Sequence, residues 1–338
     1  MKAIVQRRYG SPDDLTLVDV EVPTPGAGEV LVRVRAASLN ARDWHIMRGD
    51  PYLARAMAPD WGARGPKRAI RGSDLAGVVE AVGAGVTGFQ PGDEVYGDAR
   101  EGDGTFAEYV AVPAGQIDAK PANLTFTQAA AVPLAGSTAL VGLRDAGQVQ
   151  AGQRVLINGA SGGVGLFAVQ IAVALGAEVS AVCSSRNVEL VASVGADHVI
   201  DYTRDDFTRP ARPYDLILDL VGNRGLAECR RALTPTGTLV LSGGGVSRAG
   251  RPYLVGPIGL NIKGMVIARF VRQRVVASMV VTPSTDMLAA LAGLLESGQV
   301  TPVIDRTYPL AQVPAALRYL EVEHARAKVV ITMEHQAS

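Results

Sequence analysis

Cysteine is nearly missing from this chain, which carries only Cys183 and Cys229 in 338 residues. That excludes a disulfide framework and a four-thiolate metal site, and it fits a reducing compartment. No stretch of eighteen apolar residues runs free of a charge or a turn former, so nothing reads as a membrane span. The N-terminal apolar run, Ala3-Ile4-Val5 before Gln6-Arg7-Arg8, is too short for a secretory signal. An excess of one charge is missing too. Lys plus Arg and Asp plus Glu number 33 each, and no stripe mixes basic with aromatic residues, which removes the electrostatic case for nucleic acid or an anionic membrane as partner. There is no internal repeat and no low-complexity tract. The cytosol is the expected location.

What is present is a globular composition, 48% hydrophobic and 20% charged, in a chain long enough for two domains. The stretch that organises it runs from Arg154 to Arg186. The apolar Val155-Leu156-Ile157 leads into Asn158-Gly159-Ala160-Ser161-Gly162-Gly163-Val164-Gly165, a helical stretch follows to Leu175, and after Gly176 comes a second apolar run, Val179 to Cys183. Glycines at 159, 162 and 165 alone would fit any tight turn. Flanked by strand, helix and strand, they fit a turn that holds a dinucleotide: Ser161, Gly162, Gly163 and Val164 would bring backbone N–H groups to a pyrophosphate at the positive end of the helix.

Ahead of this stretch, short β-like runs separated by Gly and Pro predict a small all-β body: Ala3 to Val5, Leu15 to Val20, Val30 to Ala37, Leu75 to Val82, Glu94 to Gly97 and Phe106 to Val112. The connection from Arg48 to Gly72, holding Tyr52 and Trp61, reads equally as an active-site flap and as a surface excursion. From Thr127 onward strands and helices alternate, which predicts a parallel sheet covered on both faces. Its later strands are Val199-Ile200, Leu216 to Val221 and Thr238 to Leu241, with Met265 to Ala268 as the sixth. A helix capped by Ser284, an extended Val303 to Tyr308, a helix from Val313 to His324 and a last strand, Lys328 to Met333, complete the chain.

Several separated motifs now match one family. Gly72-Ser73-Asp74-Leu75-Ala76-Gly77, the Gly159 to Gly165 turn, Gly176-Ala177 and Gly195-Ala196-Asp197-His198-Val199-Ile200-Asp201-Tyr202 together resemble the medium-chain dehydrogenase/reductase superfamily. Within it the chain is similar to the zinc-independent, quinone oxidoreductase-like branch. The resemblance implies an α/β chain with a discontinuous GroES-like substrate domain, residues 1–126 and 272–338, and a Rossmann NADP(H)-binding domain, residues 127–271. It also implies a cleft between them and a homodimer.

Zinc-dependent members hold their metal with thiolate, imidazole or carboxylate donors. Where the resemblance expects the thiolate stands Asn40; where it expects histidine and glutamate stand Ser73 and Asp74; the third-ligand region reads Pro133-Leu134-Ala135. These residues predict no metal. His45 is the one histidine expected near the cleft, and it reads either as a hydrogen-bonded structural residue or as a catalytic one.

At the end of the second strand, where an acidic residue would select NAD, the chain runs Cys183-Ser184-Ser185-Arg186-Asn187. Hydroxyls followed by a guanidinium suit a 2′-phosphate, so NADPH is the expected cofactor. Ser184 and Ser185 would also serve as helix caps, and Arg186 equally fits a solvent-facing position. By resemblance Ser184 and Tyr202 contact the adenosine phosphate, and Gly243 and Gly244 lie against the nicotinamide half. Asn40 and Thr138 match cleft residues of the family. Tyr52 lies one position late for the tyrosine proton donor of related enoyl reductases, and reads also as a ring packed on the connection.

Neutral donors in place of a metal suit the oxygen of an enolate or semiquinone, which predicts an NADPH-dependent reductase of quinones or α,β-unsaturated carbonyls. Two other readings fit the same residues: a zinc-free aldehyde or alcohol oxidoreductase, and a cofactor-binding redox sensor with little turnover. The segment from Val246 to Leu260, with Arg248, Arg251 and Tyr253, reads either as a cover for the cofactor or as a solvated loop.

Overall fold

The computed structural model describes residues 1–57, 61–100, 102–243, 257–277, 279–323 and 325–333. Six strands form a parallel sheet in the order His198–Asp201, Glu178–Cys183, Arg154–Asn158, Tyr214–Asp219, Leu233–Leu241 and Arg274–Val276. Along the chain this is third, second, first, fourth, fifth, sixth. The direction of winding reverses between Arg154–Asn158 and Tyr214–Asp219, which opens a crevice beyond their carboxyl ends. Val155, Leu156 and Ile157 are wholly buried, as expected of a central strand covered on both faces.

The helix Gly163–Ala174 is apolar apart from Gln170 because every residue from Gly165 to Ala172 is buried. Phe167, Ala168, Val169 and Ile171 are buried in the core shared with Ala135 and Ala139 of the helix Pro133–Leu140.

One expected element is corrected. Met265 to Ala268 is not the sixth strand but the end of the helix Pro257–Ala268. The sixth strand is Arg274–Val276, paired with Thr238–Val240. An apolar run of four residues has no period of its own and fits either state. Ile262, Met265 and Val266 stand about half exposed on this helix.

The second sheet joins both ends of the chain. Its order is Ile304–Pro309, Lys328–Thr332, Glu29–Ser38, Asp74–Val82, Glu94–Asp98 and Ile117–Ala119, with Tyr109–Pro113 also on Glu29–Ser38. Register puts Asp74 opposite Ser38, and Ser38 opposite Val330. Lys328, two residues before Val330, shares its face of the sheet.

The two sheets meet at the glycine turn. Ala327, at φ +54, bridges to Gly162 and donates its N–H to the Ser161 carbonyl at 2.9 Å. Arg48 clamps Glu321 through two hydrogen bonds of 2.9 and 2.8 Å. Near the start of the 48–72 connection the Arg55 guanidinium lies between two rings, 4.4 Å from Tyr9 and 4.3 Å from Tyr52. Tyr9 in turn donates its hydroxyl to Gly62 O.

Candidate active site

Asp74 is the hub of a buried polar cluster. It is fully buried, and four donors from three parts of the chain converge on it. Its Oδ2 accepts from Ser38 Oγ at 2.7 Å, Asn40 Nδ2 at 3.0 Å and Lys328 Nζ at 3.3 Å, and its Oδ1 accepts from the Leu134 N–H at 3.0 Å. Leu134 opens the helix Pro133–Leu140, so the carboxylate also meets that helix's positive end.

Asn40 precedes the helix Ala41–Arg48 in extended conformation, φ −129 and ψ 160, but its side chain does not cap that helix. The Asp43 carboxylate accepts the Asn40 backbone N–H at 2.7 Å instead, which frees the amide to turn toward Asp74. Lys328 Nζ donates to Asn40 Oδ1 at 2.6 Å and to Leu39 O at 3.0 Å. One Nδ2 hydrogen of Asn40 is held by Asp74; the other has only a loose 3.5 Å contact with Ser73 Oγ.

Lys328 is the residue that sequence reasoning missed. It is 3% exposed, and its only signal was a cation opening the apolar run Val329-Val330-Ile331. Such a lysine is buried only when its ammonium is fully paired. Behind the cluster, Asp103 accepts from both Arg42 and Arg71, at 2.6 and 2.5 Å, and burial pulls the Arg71 guanidinium below its ordinary value.

The dinucleotide turn has the shape its glycines require. Gly159 is left-handed at φ +91, and a Cβ on Gly165 would fall 2.2 Å from Gly159 O. At Gly162 the nearest atom to a Cβ is 3.5 Å away, and at Gly163 it is Lys328 Cδ at 2.9 Å. No side chain caps the helix Gly163–Ala174, and Ser161 to Val164 are partly exposed, so its first N–H groups face outward. These features fit a pyrophosphate.

Ser184 and Tyr202 are brought together, because the Tyr202 N–H donates to Cys183 O at 3.1 Å. Tyr202 is 49% exposed. The Ser184 side chain does not cap a helix, and Arg186 Nη2 reaches Glu323 O at 3.3 Å. Gly243 packs so closely on Leu220 that a Cβ would fall 2.0 Å from its carbonyl. Gly244 and most of the 246–260 segment lie outside the described residues.

The remaining expected residues stand apart from Asp74. Thr138 donates its hydroxyl to Leu134 O at 2.6 Å, leaving its oxygen as an acceptor. Tyr52 is 44% exposed with its ring on Arg55, and among the described residues no hydrogen bond engages its hydroxyl. His45 Nδ1 meets Asp50 O at 2.9 Å, its ring stacks on Trp44, and burial lowers its pKa, which makes it a neutral, hydrogen-bonded residue. Among the described residues no three His, Cys, Asp or Glu side chains converge as metal ligands.

Comparison with known proteins matches both parts of the chain. Residues 26–122 fit the family described as alcohol dehydrogenase GroES-like domain, and residues 194–331 the family described as zinc-binding dehydrogenase. The chain is 37% identical to 2-methylene-furan-3-one reductase of Solanum lycopersicum, over 98% of this chain and 79% of that one. It is 35% identical, with the same coverage, to a chloroplastic NADPH-dependent alkenal/one oxidoreductase of Arabidopsis thaliana. Among solved structures, the quinone oxidoreductase of Coxiella burnetii superposes with a TM-score of 0.85 at 30% identity, covering 99% of both chains.

Proposed function

The chain belongs to the medium-chain dehydrogenase/reductase superfamily, in its quinone oxidoreductase-like branch, and we propose that it is an NADPH-dependent reductase of quinones and α,β-unsaturated carbonyls that works without zinc. The observation that carries the zinc-free reading is the Lys328 ammonium, 2.6 Å from Asn40 Oδ1 and 3.3 Å from Asp74. An amide, a hydroxyl and a carboxylate already paired with a cation make a poor donor set for a zinc ion, which this ammonium would repel.

NADPH, when bound, supplies the hydride. Backbone N–H groups at Gly163 and Val164, with the Ser161 hydroxyl, hold its pyrophosphate; the Gly162 N–H is turned to Gly159 O at 3.2 Å, and Gly162 serves by leaving the approach open. Ser184, Arg186 and Tyr202 take the 2′-phosphate, and the nicotinamide half runs past Gly243, whose Cβ side is filled by Leu220. Asn40 presents its loosely held N–H to the substrate oxygen. Because Lys328 draws on the amide oxygen, that N–H is a stronger donor than a free amide, which favours the developing enolate. Thr138 offers its oxygen as an acceptor. Tyr52, with its hydroxyl unengaged, protonates the carbon that an enone reduction leaves as a carbanion.

Four coarser proposals accompany this one. We assign residues 1–126 and 277–338 to the substrate part and 127–276 to the cofactor part, moving the expected boundary from 271 because Arg274–Val276 pairs with Thr238–Val240. A homodimer is supported by Ile262, Met265 and Val266, half exposed beside that edge strand. Neither a nucleic acid nor a membrane is a partner: the charges balance, and no helix among the described residues is long and apolar enough to cross a bilayer. The cytosol is proposed from the two cysteines, both free and buried.

Stopped-flow oxidation of NADPH against 1,4-benzoquinone, a long-chain enone and an aldehyde, with NADH as control, tests the function. Fast turnover of quinone and enone with NADPH is expected. Turnover of the aldehyde alone, or tightly held zinc in the purified protein, would overturn it.

A further inference from the structure

Asn187 joins two hydroxyls that come from different parts of the chain. It closes the short turn Ser185–Asn187, is 3% exposed, and its Nδ2 donates to Ser161 Oγ at 3.1 Å and to Ser184 Oγ at 3.2 Å. Ser161 belongs to the glycine turn, and Ser184 follows the strand Glu178–Cys183. The Asn187 Oδ1 atom is buried without a partner. The reverse orientation of the amide would strand two N–H donors in the same buried place instead of one oxygen, a costlier arrangement.

A hydroxyl oxygen that accepts from an amide keeps its own hydrogen free. With Asn187 donating to both serines, the hydrogens of Ser161 and Ser184 are left to point away from it, as donors to an oxyanion. Ser185 has the opposite arrangement. Its hydroxyl turns inward to Asp201 Oδ2 at 2.5 Å, and Asp201 Oδ1 is occupied by the Thr203 N–H and hydroxyl at 3.0 and 2.8 Å. The carboxylate at the end of the neighbouring strand is therefore saturated from within, and the outward donors are those that Asn187 sets.

We infer that Asn187 is a positioning residue for cofactor choice: anchored on Ser161 at the pyrophosphate turn, it holds Ser184 as an outward donor and so makes the site prefer a dinucleotide with a 2′-phosphate. This rests on the NADPH reading above and deepens it. A carboxylate in its place would accept from both serines, turn their hydrogens inward and bring a negative charge toward the phosphate.

The test is the ratio of kcat/KM for NADPH to that for NADH, with one saturating quinone, in the wild type, Asn187→Asp and Asn187→Ala. A ratio measured within one preparation cancels any loss of folded protein. Asn187→Asp is expected to lower the ratio at least about tenfold, through a KM that rises far more for NADPH than for NADH, since only NADPH also loses the Ser184 contact, and Asn187→Ala by a smaller factor in the same direction. If Asn187→Asp fails to fold, the alanine variant carries the test. A wild-type ratio near one would overturn the NADPH reading itself. A wild type that prefers NADPH, with the ratio unmoved in the foldable variants, would overturn the role of Asn187 alone.

Discussion

Lys328 and Asp74 lie 254 positions apart in the chain and meet at 3.3 Å in the buried centre of the cleft, 3% and 0% exposed at their side chains. Removing one member of such a pair strands the other. Lys328→Met is expected to lower stability by on the order of 3–5 kcal/mol, and Asp74→Asn added to it should recover part of that loss, since two neutral groups replace an unpaired carboxylate. Urea denaturation of the three proteins reads this directly. A Lys328→Met protein as stable as the wild type would show that the pair does not hold the cleft together.

Two glycines of the same turn should fail in different ways. At Gly165 a Cβ would meet the backbone oxygen of Gly159 at 2.2 Å, whereas at Gly162 nothing lies closer than 3.5 Å. Gly165→Ala is expected to lower Tm and lose NADPH binding together. Gly162→Ala should keep stability within about 1 kcal/mol, as a residue added in open space does, while weakening NADPH binding measured by fluorescence titration. Unaltered affinity in Gly162→Ala would mean that the pyrophosphate does not approach this backbone.

Tyr52→Phe separates the two acceptor classes. The ring stack on Arg55 survives the change, but the hydroxyl is gone. Reduction of an enone must protonate carbon, and its kcat is expected to fall by about 100-fold or more, the usual contribution of a general acid. Reduction of 1,4-benzoquinone yields oxygen anions that water protonates, and should be unchanged. An unaltered kcat on the enone removes Tyr52 from the mechanism.

Burial pushes the Asp43 carboxyl from its ordinary 3.8 up to about 6. The folded protein then holds a proton between those values that the unfolded chain has released. Its contribution to stability is full below about pH 4 and is lost as the pH rises through about 6. Asp43→Asn removes this titration and keeps an acceptor for the Asn40 N–H. The variant should gain on the wild type between pH 5 and pH 7, by on the order of 1–3 kcal/mol at the upper end. A difference that stays constant over that range would refute the shift.

Local signals foretold what is local in the fold. The glycine turn announced itself because strand, turn and helix are contiguous, and the last strand was visible as an uninterrupted apolar run. The edge strand Arg274–Val276 was not, since three residues with a charge among them carry no period, and the nearby apolar Met265 to Ala268 was the stronger decoy. Asn40 and Ser184 entered the proposed site by family resemblance. Lys328 and Asn187 did not, because each takes its meaning from partners brought by register: Asp74 across three strands for the lysine, Ser161 for the asparagine. The side chains that orient the contact residues carry no motif.

The pairing of Lys328–Thr332 with Glu29–Ser38 also sets an order of events during synthesis. The ribosome delivers Glu29–Ser38 early, and Tyr109–Pro113 can cover Glu29 to Arg33 soon after, yet Ala36 to Ser38 on the same edge have no neighbour until Val330 to Thr332 have emerged. The glycine turn waits as well, since Ala327 closes against Ser161 only then. A nascent chain therefore carries a short open stretch of sheet edge and an unclosed glycine turn until residues 327–332 emerge, and that one segment completes both.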